Sequence, residues 1–413
     1  MIPDEWQPIQ LKDVVQKGRK ICYGIVQPGD FATDGIPLIR GKDYSFGWAP
    51  LEDFFRVSEA IDRPYKRSKV KPRDLILTIV GAGTGNVATV PDWLDEANIT
   101  QTTARIAVDH EKFDYRYVRA LLQSRFGQNA VYRAIKGGAQ PGLNIADVEK
   151  FTFFYPPKNV QSQIADAAEA WDRAIETVEA LIANARAQKQ ALMQQLLPQG
   201  TTPPKKRLPG FSGEWRKLHI GDVAKEVSER AGEKAGYPVL SCSKYDGMVE
   251  SLSYFKKKVY SDDTSNYKVM RRGTFGFPSN HVEEGSIGYQ DLCDAGIVSP
   301  IYCVFATSNE VDDGFLYKLL KTDRYRQIFA AATNASVDRR GSLRWKEFSR
   351  IPLPLPPLEE QQAISEAVDA VAATETAYQT QLTALRQEKA ALMQQLLTGK
   401  RRVKLPESEV ANA

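Results

Sequence analysis

The sequence predicts an α+β protein in which two pseudo-symmetric mixed α/β modules are joined by two long coiled-coil helices. Three observations predict it. The heptapeptide ALMQQLL occurs twice, as Ala191–Leu197 and, 200 residues later, as Ala391–Leu397. Upstream of each copy, apolar residues recur at alternating spacings of three and four. Short boxes ahead of both helices match in the same order, so the repeat includes the globular parts.

The helices carry the clearest pattern. Ile164, Ala168, Trp171, Ile175, Val178, Ile182, Ala185, Lys189, Leu192 and Leu196 form one seam. Ile364, Val368, Val371, Glu375, Tyr378, Leu382, Leu385, Lys389, Leu392 and Leu396 form the other, without an insertion. A 3.5-residue period held over several heptads marks a coiled-coil seam, and each helix should be about 50 Å long. Two such helices in one chain most simply pack on each other. The polar seam positions Lys189, Glu375 and Lys389 suit the setting of register or partner.

In chain order, EWQPIQLKDVV from Glu5 matches EWRKLHIGDVA from Glu214, with Trp6 over Trp215 and Asp13 over Asp222. FDYRYVRALLQ from Phe113 matches VDDGFLYKLLK from Val311, and the parallel loops GLN from Gly142 and SLR from Ser342 follow. Pro156-Pro157 and Pro356-Pro357 precede the helices, where proline suits a helix start. The expected divisions are a module over 1–157, a helix over 158–197 and a Pro/Gly/Lys-rich linker over 198–213. The second module covers 214–357, the second helix 358–399 and a basic tail 400–413. Within the modules, Asp74–Val80 reads as a strand bounded by Pro72 and Gly81, with Arg271–Phe277 in the matching place. Ile36–Trp48 and Pro238–Gly247 mix strand formers with basic and aromatic residues, and here the two modules diverge most. A constant frame around differing inserts suggests a scaffold presenting two different reading surfaces.

At 413 residues, with 42% hydrophobic and 26% charged content, the chain is that of a globular protein of two or three domains. It has no apolar run long enough to span a bilayer, and MIPDEWQPIQ lacks the features of a signal peptide, so a cytoplasmic protein is expected. Cys22, Cys242, Cys293 and Cys303 form no CxxC pair, and His110, His219 and His281 are scattered, so no metal site is expected. Net charge is only +4. The basic residues nevertheless cluster, at Lys66–Lys71, Lys205–Arg207, Lys256–Lys258, Arg271-Arg272, Arg339-Arg340 and Lys400–Arg402. Most short basic runs are solvated surface, but six on one chain favour a polyanionic partner.

Two motifs tempt a catalytic reading. LILTIVGAGTGN, from Leu75, resembles a glycine-rich cofactor turn, but the mechanism needs a helix next, and NVATVPDW follows instead. A strand–loop–strand hairpin is favoured. Ser299-Pro300-Ile301-Tyr302 comes within one residue of the SPPY motif of amino-methyltransferases, yet it lies far from the glycine loop and opposite the plain strand Gln101–Ala104. There is no GxxxxGK[ST] phosphate loop and no [DE]xK half-motif, so no enzyme is predicted.

Together with the module–helix–module–helix order, several segments resemble the specificity subunits of type I restriction–modification systems over essentially the whole chain. They are YGIVQPGDFATDGIPLIRGKD from Tyr23, PVLSCSKYDGMVESLSYFKKKVYSDDTSNYKVMRRG from Pro238, GSIG from Gly285, PLPPLEEQQAI from Pro354 and LPGFSGEW from Leu208. YPPKNVQSQI from Tyr155 departs from the PLPPLxEQ wording. The resemblance implies two target-recognition domains, each reading half of a bipartite double-stranded DNA target, joined by an antiparallel helical spacer. It implies two methylation subunits and restriction/translocase subunits as partners. S-adenosylmethionine, ATP and Mg would be held by those subunits, and no cofactor by this chain.

Arg, Lys, Asn and Gln give bidentate contacts to base edges, and lysines hold phosphates. The candidate DNA-binding residues of module one are Arg40, Lys42, Tyr44, Thr84, Asn86, Lys136 and Gln140. Those of module two are Lys244, Tyr245, Ser279, Asn280, His281, Arg339 and Arg340, with Lys256, Lys257 and Lys258 suited to phosphate. Ile164, Trp171, Val178, Leu192, Ile364, Val371, Tyr378 and Leu392 are the candidate seam and subunit-docking positions. The rival readings are a single-chain S-adenosylmethionine-dependent DNA methyltransferase and a coiled-coil adaptor that binds only protein.

Overall fold

The structure, a computed structural model, describes residues 2–45, 47–136, 142–198, 200, 202–232, 236–334 and 342–403. The chain divides into two compact units, residues 1–179 with 380–413 and residues 180–379. The division cuts both long helices, so each unit holds one module and a half of each helix. All four cysteines are free. No helix among the described residues is long and apolar enough to cross a membrane.

The strands of unit one are β1 (Gln7–Gln10), β2 (Cys22–Tyr23), β3 (Ile36–Ile39), β4 (Phe55–Val57), β5 (Leu75–Thr78), β6 (Val87–Thr89), β7 (Asn98–Ile99), β8 (Thr103–Ile106) and β9 (Thr152–Tyr155). Its helices are α1 (Glu59–Asp62), α2 (Tyr115–Gln123), α3 (Arg125–Ala134), α4 (Ile145–Glu149) and the first part of α5 (Lys158–Leu196). An antiparallel sheet of order β2-β8-β5-β6 forms the centre, and β3 pairs antiparallel with β4 and parallel with β7. The continuous apolar run Leu75–Thr78 is buried at every position, as a central strand requires. β1 pairs with β9, Gln7 opposite Tyr155, which ties the amino terminus to the strand that leads into α5.

Unit two repeats this plan with β10 (Arg216–His219), β11 (Ala224–Glu226), β12 (Leu240–Ser243), β13 (Gly247–Glu250), β14 (Lys268–Arg271), β15 (Thr274–Pro278), β16 (Gly288–Gln290), β17 (Ala295–Val298), β18 (Tyr302–Thr307) and β19 (Pro352–Leu355). Its helices are α6 (Ile220–Val223), α7 (Ser251–Phe255), α8 (Asp313–Leu320), α9 (Asp323–Asn334), α10 (Trp345–Phe348) and the first part of α11 (Leu358–Leu396). The sheet order β11-β18-β15-β16 and the β10–β19 pair are those of unit one. The units differ where the sequences diverge. Unit one has β3, β4 and β7; unit two has the hairpin β12–β13 and the pair β14–β17. The core of unit two is aromatic, with Phe275 stacked on Phe305 at 5.0 Å and Phe277 at 4.6 Å from Phe348.

A buried glutamine fixes each long helix to its module. Gln161 accepts from the Asp114 amide and donates to the Pro156 carbonyl, and Gln361 makes the same pair of bonds to Asp312 and Pro356. Every seam position from Ile164 to Leu196 and from Ile364 to Leu396 is buried or half-buried. Within unit one, Asp172 pairs with Lys389 and Glu179 with Arg386, so the two helix halves run antiparallel. Met393 and Leu396 of the second helix, and Leu397 just after it, then enter the core built around Leu75, Tyr117 and Phe153. In unit two Arg186 pairs with Glu375 at 2.7 Å, and Leu196, the last residue of the first helix, and Leu197 after it enter the core around Phe275 and Phe305.

Both helices have 39 residues, which at 1.5 Å per residue is about 58 Å. α11 ends at Leu396, three residues before the predicted limit of 399. Gly399 then turns with φ +68°, lying against Pro3 and Trp6, where a Cβ would come within 2.4 Å of the proline ring. The predicted linker is also folded onto unit two. Arg207 makes bonds of 2.8 and 2.6 Å to Glu360, a carboxylate with 0% exposure.

Candidate nucleic-acid interface

Each module has a cleft in the same topological place, and local pattern explains why. The central strand β5 or β15 runs out at Ile79 or Ser279, and a loop segment docks on that end. Leu143 donates its amide to the Ile79 carbonyl at 2.7 Å, and Leu343 does the same to Ser279 at 2.7 Å. The segment then opens α4 or α10, and the turn before β8 or β18 supplies the facing wall.

The cleft of unit one, about 710 Å³, is lined by Tyr23, Val26, Ile79, Gln101, Asn144 and Asp147, among others. Lys136 stands at Asp147 at 2.7 Å, and its ammonium holds that carboxyl below the ordinary carboxylate value. The cleft of unit two, about 630 Å³, is lined by Glu226, Lys268, Ser279, Asn280, Tyr302 and Arg344, with Pro300 and Trp345 beside them. Lys268 donates to the Tyr302 carbonyl at 2.6 Å and lies 3.9 Å from Glu226. Burial pushes the Cys303 thiol there up to about 12, so it stays protonated at neutral pH. The first cleft presents amides and a carboxylate and the second an amide, cations and a carboxylate, all groups that read base edges.

The expected DNA-binding residues are distributed unevenly. Ser279 and Asn280 line the second cleft, and Lys136 reaches the rim of the first through Asp147. Lys42, Asn86, Lys244, Lys256 and Lys257 are exposed elsewhere on their modules. Tyr245 is 81% exposed with the Lys244 ammonium 5.5 Å from its ring. Lys258 is paired with Asp262, and His281 lies 3.2 Å from Glu284. Thr84 donates to the Gly81 carbonyl at 2.6 Å. Gln140, Arg339 and Arg340 lie outside the described residues.

Two of the candidates are engaged within their own module. Tyr44 is a core residue, 6% exposed, with its hydroxyl 2.6 Å from Thr78 Oγ1 and 3.3 Å from Thr103 Oγ1. The polar neighbours Asp43 and Ser45 make its segment look like a solvated loop, but the ring turns inward. Arg40 is held by both oxygens of Asp43 at 3.1 and 3.2 Å and by the Asp53 carbonyl at 3.3 Å, with its guanidinium over Phe55.

The glycine loop closes the expected hairpin, since β6 pairs antiparallel with β5. Gly85 (φ +98°) packs under α3, where a Cβ would meet Gln128 at 3.0 Å and Val131 at 3.1 Å, so packing accounts for this glycine. The SPIY turn, by contrast, does form part of a cleft wall. Tyr23, Gln101, Asn144, Glu226, Lys268 and Arg344 went unrecognised in the sequence. A signal existed for two of them. Asn144 and Arg344 are the last residues of the paired loops GLN and SLR, matched in position and different in chemistry. Among the described residues, His281, Glu283 and Glu284 also bring ligand atoms within 4.8 Å of one another. They are neighbours on one short turn, and His281 and Glu284 satisfy each other.

A family model described as "Type I restriction modification DNA specificity domain" matches the chain twice, over residues 3–185 and 213–386. The chain is 32% identical over 197 residues to the type I restriction enzyme EcoBI specificity subunit of Escherichia coli, covering 48% of this chain and 41% of that one. To the type I restriction enzyme MjaVIII specificity subunit of Methanocaldococcus jannaschii it is 22% identical over 180 residues, covering 42% and 41%. The matched part thus spans about two fifths of the length of these relatives. Among solved structures, a chain from a study of complex assembly and conformational transition of the type I R-M system superposes with TM-score 0.58 at 18% identity, over 96% of this chain and 98% of that one. The S subunit of a type I restriction–modification system from M. genitalium gives 0.54 at 14%, over 98% and 97%. These likenesses agree with the resemblance drawn from the sequence, and the solved structures share the fold.

Proposed function

The chain belongs to the type I restriction–modification DNA specificity family, whose model covers both of its modules, and on that footing we propose that each module reads one half of a bipartite DNA target through its cleft. Specificity subunits are the non-catalytic members of their systems. The observation that carries the proposal is one cleft position built twice on one frame with different linings. Asn144 and Gln101 in module one suit the donor–acceptor edge of adenine, and Arg344 and Lys268 in module two suit guanine. The exposed Lys256 and Lys257 suit phosphate contact, which positions a protein on the duplex without reading sequence.

The finer assembly follows the same reading. The two long helices set the spacing between half-sites and dock two methylation subunits. S-adenosylmethionine chemistry then resides on those subunits, and ATP- and Mg-dependent translocation on restriction subunits.

The test exchanges residues 214–357 for those of a related specificity subunit and footprints the complex with methylation subunits on a randomised target. One half of the recognised sequence should change and the other stay. If both halves change together, or if the chain alone transfers labelled methyl groups to DNA, the reading fails.

A further inference from the structure

Each unit also has a groove between its long-helix pair and the turn joining two consecutive module helices. In unit one it is about 280 Å³ and includes Ser124, Asp172, Arg386 and Lys389. In unit two the groove in the equivalent place is about 480 Å³ and includes Arg186, Lys189, Met193, Thr322, Arg324 and Glu375. The repeat therefore supplies its own comparison. Lys389 corresponds to Lys189, and Asp172 to Ala372.

The charge arrangement differs between them. In unit one Asp172 answers Lys389 directly. In unit two alanine stands in the acid's place, and Glu375 is engaged by Arg186 at 2.7 Å. Lys189 is half-buried and, among the described residues, has no carboxylate in ion-pair distance. Arg324 is exposed, has no carboxylate in ion-pair distance among the described residues, and donates to the Gln327 amide oxygen at 3.4 Å. A partly desolvated cation without a counter-charge is costly, and its replacement by a neutral residue would relieve that cost. The larger groove keeps the lysine with alanine where the smaller one has Asp172, and the carboxylates that line it, Glu375 and Asp323, are engaged by Arg186 and Arg326.

We propose that the groove of unit two is a receptor for a carboxylate side chain on an acidic segment of a docking partner protein. Lys189 and Arg324 bind it, and the partner supplies what Asp172 supplies internally in unit one. The size favours protein over DNA. A groove of about 480 Å³ takes one or two side chains, while a duplex whose major groove alone is about 12 Å wide does not enter it. This inference rests on the reading that methylation subunits dock on the long helices, and it makes one of the two docking sites more salt-sensitive than the other.

The test titrates the full chain with its methylation subunit at about 50 and about 200 mM salt. Lys189→Gln and Arg324→Gln should each weaken binding at low salt by about tenfold, the scale of one charge-assisted contact. Both should also flatten the salt dependence. Ala372→Asp gives Lys189 an internal partner, so it should weaken binding as much while leaving the melting temperature unchanged or raised. That variant separates a lost receptor from a lost fold. Unchanged affinity in all three overturns the receptor alone. A defect in Lys189→Gln confined to non-specific duplex binding overturns it too, by assigning the groove to phosphate. No binding of the wild-type chain to the methylation subunit sinks the docking reading, and the receptor with it.

Discussion

Tyr44→Phe removes one oxygen atom and separates a core role from a DNA-reading role. The hydroxyl lies 2.6 Å from Thr78 Oγ1 and 3.3 Å from Thr103 Oγ1, and both threonines are buried. The short bond is a full O–H···O contact, and the longer one is weak for that type. Its loss leaves a buried threonine hydroxyl without this partner, which costs about 1–3 kcal/mol, and the weaker bond adds a few tenths. A total of about 1.5–3.5 kcal/mol at about 2–4 °C per kcal/mol lowers the melting of unit one by about 3–14 °C. Calorimetry on the full chain, beside base-by-base binding profiles with the methylation subunits, tests this. The profile should keep its shape at every position, because phenylalanine preserves the ring against Trp48 and Phe54. Unchanged melting together with a relaxed preference at one base pair would refute the core assignment.

Asn280→Ala or Arg344→Ala should cost about 1–3 kcal/mol of binding and relax one position of the second half-site, measured on single-base target variants. Lys256→Gln with Lys257→Gln should weaken binding to all sequences and lower the slope of log affinity against log salt by about 0.9 per lost phosphate contact. Four residues inserted before Ala191 add about 6 Å of helix rise and a stutter. The non-specific gap should then lengthen with both half-sites unchanged; an unaltered gap would assign spacing to something else. Acid stability supplies a further test. Burial pushes the Asp114 carboxyl up, but the Arg116 side chain, Ser162 and the Arg116 amide outweigh it and hold it below its ordinary 3.8. Its stabilising contribution is therefore full above about 3.8 and is lost as pH falls through the lower folded value. Asp114→Asn should flatten the acid limb of the melting curve over that range.

The amino-acid sequence by itself determined the two helices, their seams and the order of the repeat. Seam burial follows from a 3.5-residue spacing that is local to the helix, and Pro156-Pro157 and Pro356-Pro357 mark both helix starts by backbone sterics alone. It also determined the glycine loop, because the absence of a following helix can be read from the next eight residues. The tertiary structure alone decided which residues share a cleft. Tyr23, Ile79, Gln101 and Asn144 come together only when β5, β8 and the loop before α4 pack on one another, and nothing periodic links segments so far apart in the chain. It decided the direction of single side chains too. Asp43, Tyr44 and Ser45 form one polar stretch on paper, but the two threonine hydroxyls that draw the Tyr44 ring inward come from Thr78 and Thr103 on other strands. Helical periodicity is set by neighbouring residues along the backbone, whereas a binding cleft is set by contacts between residues that only the folded chain brings together.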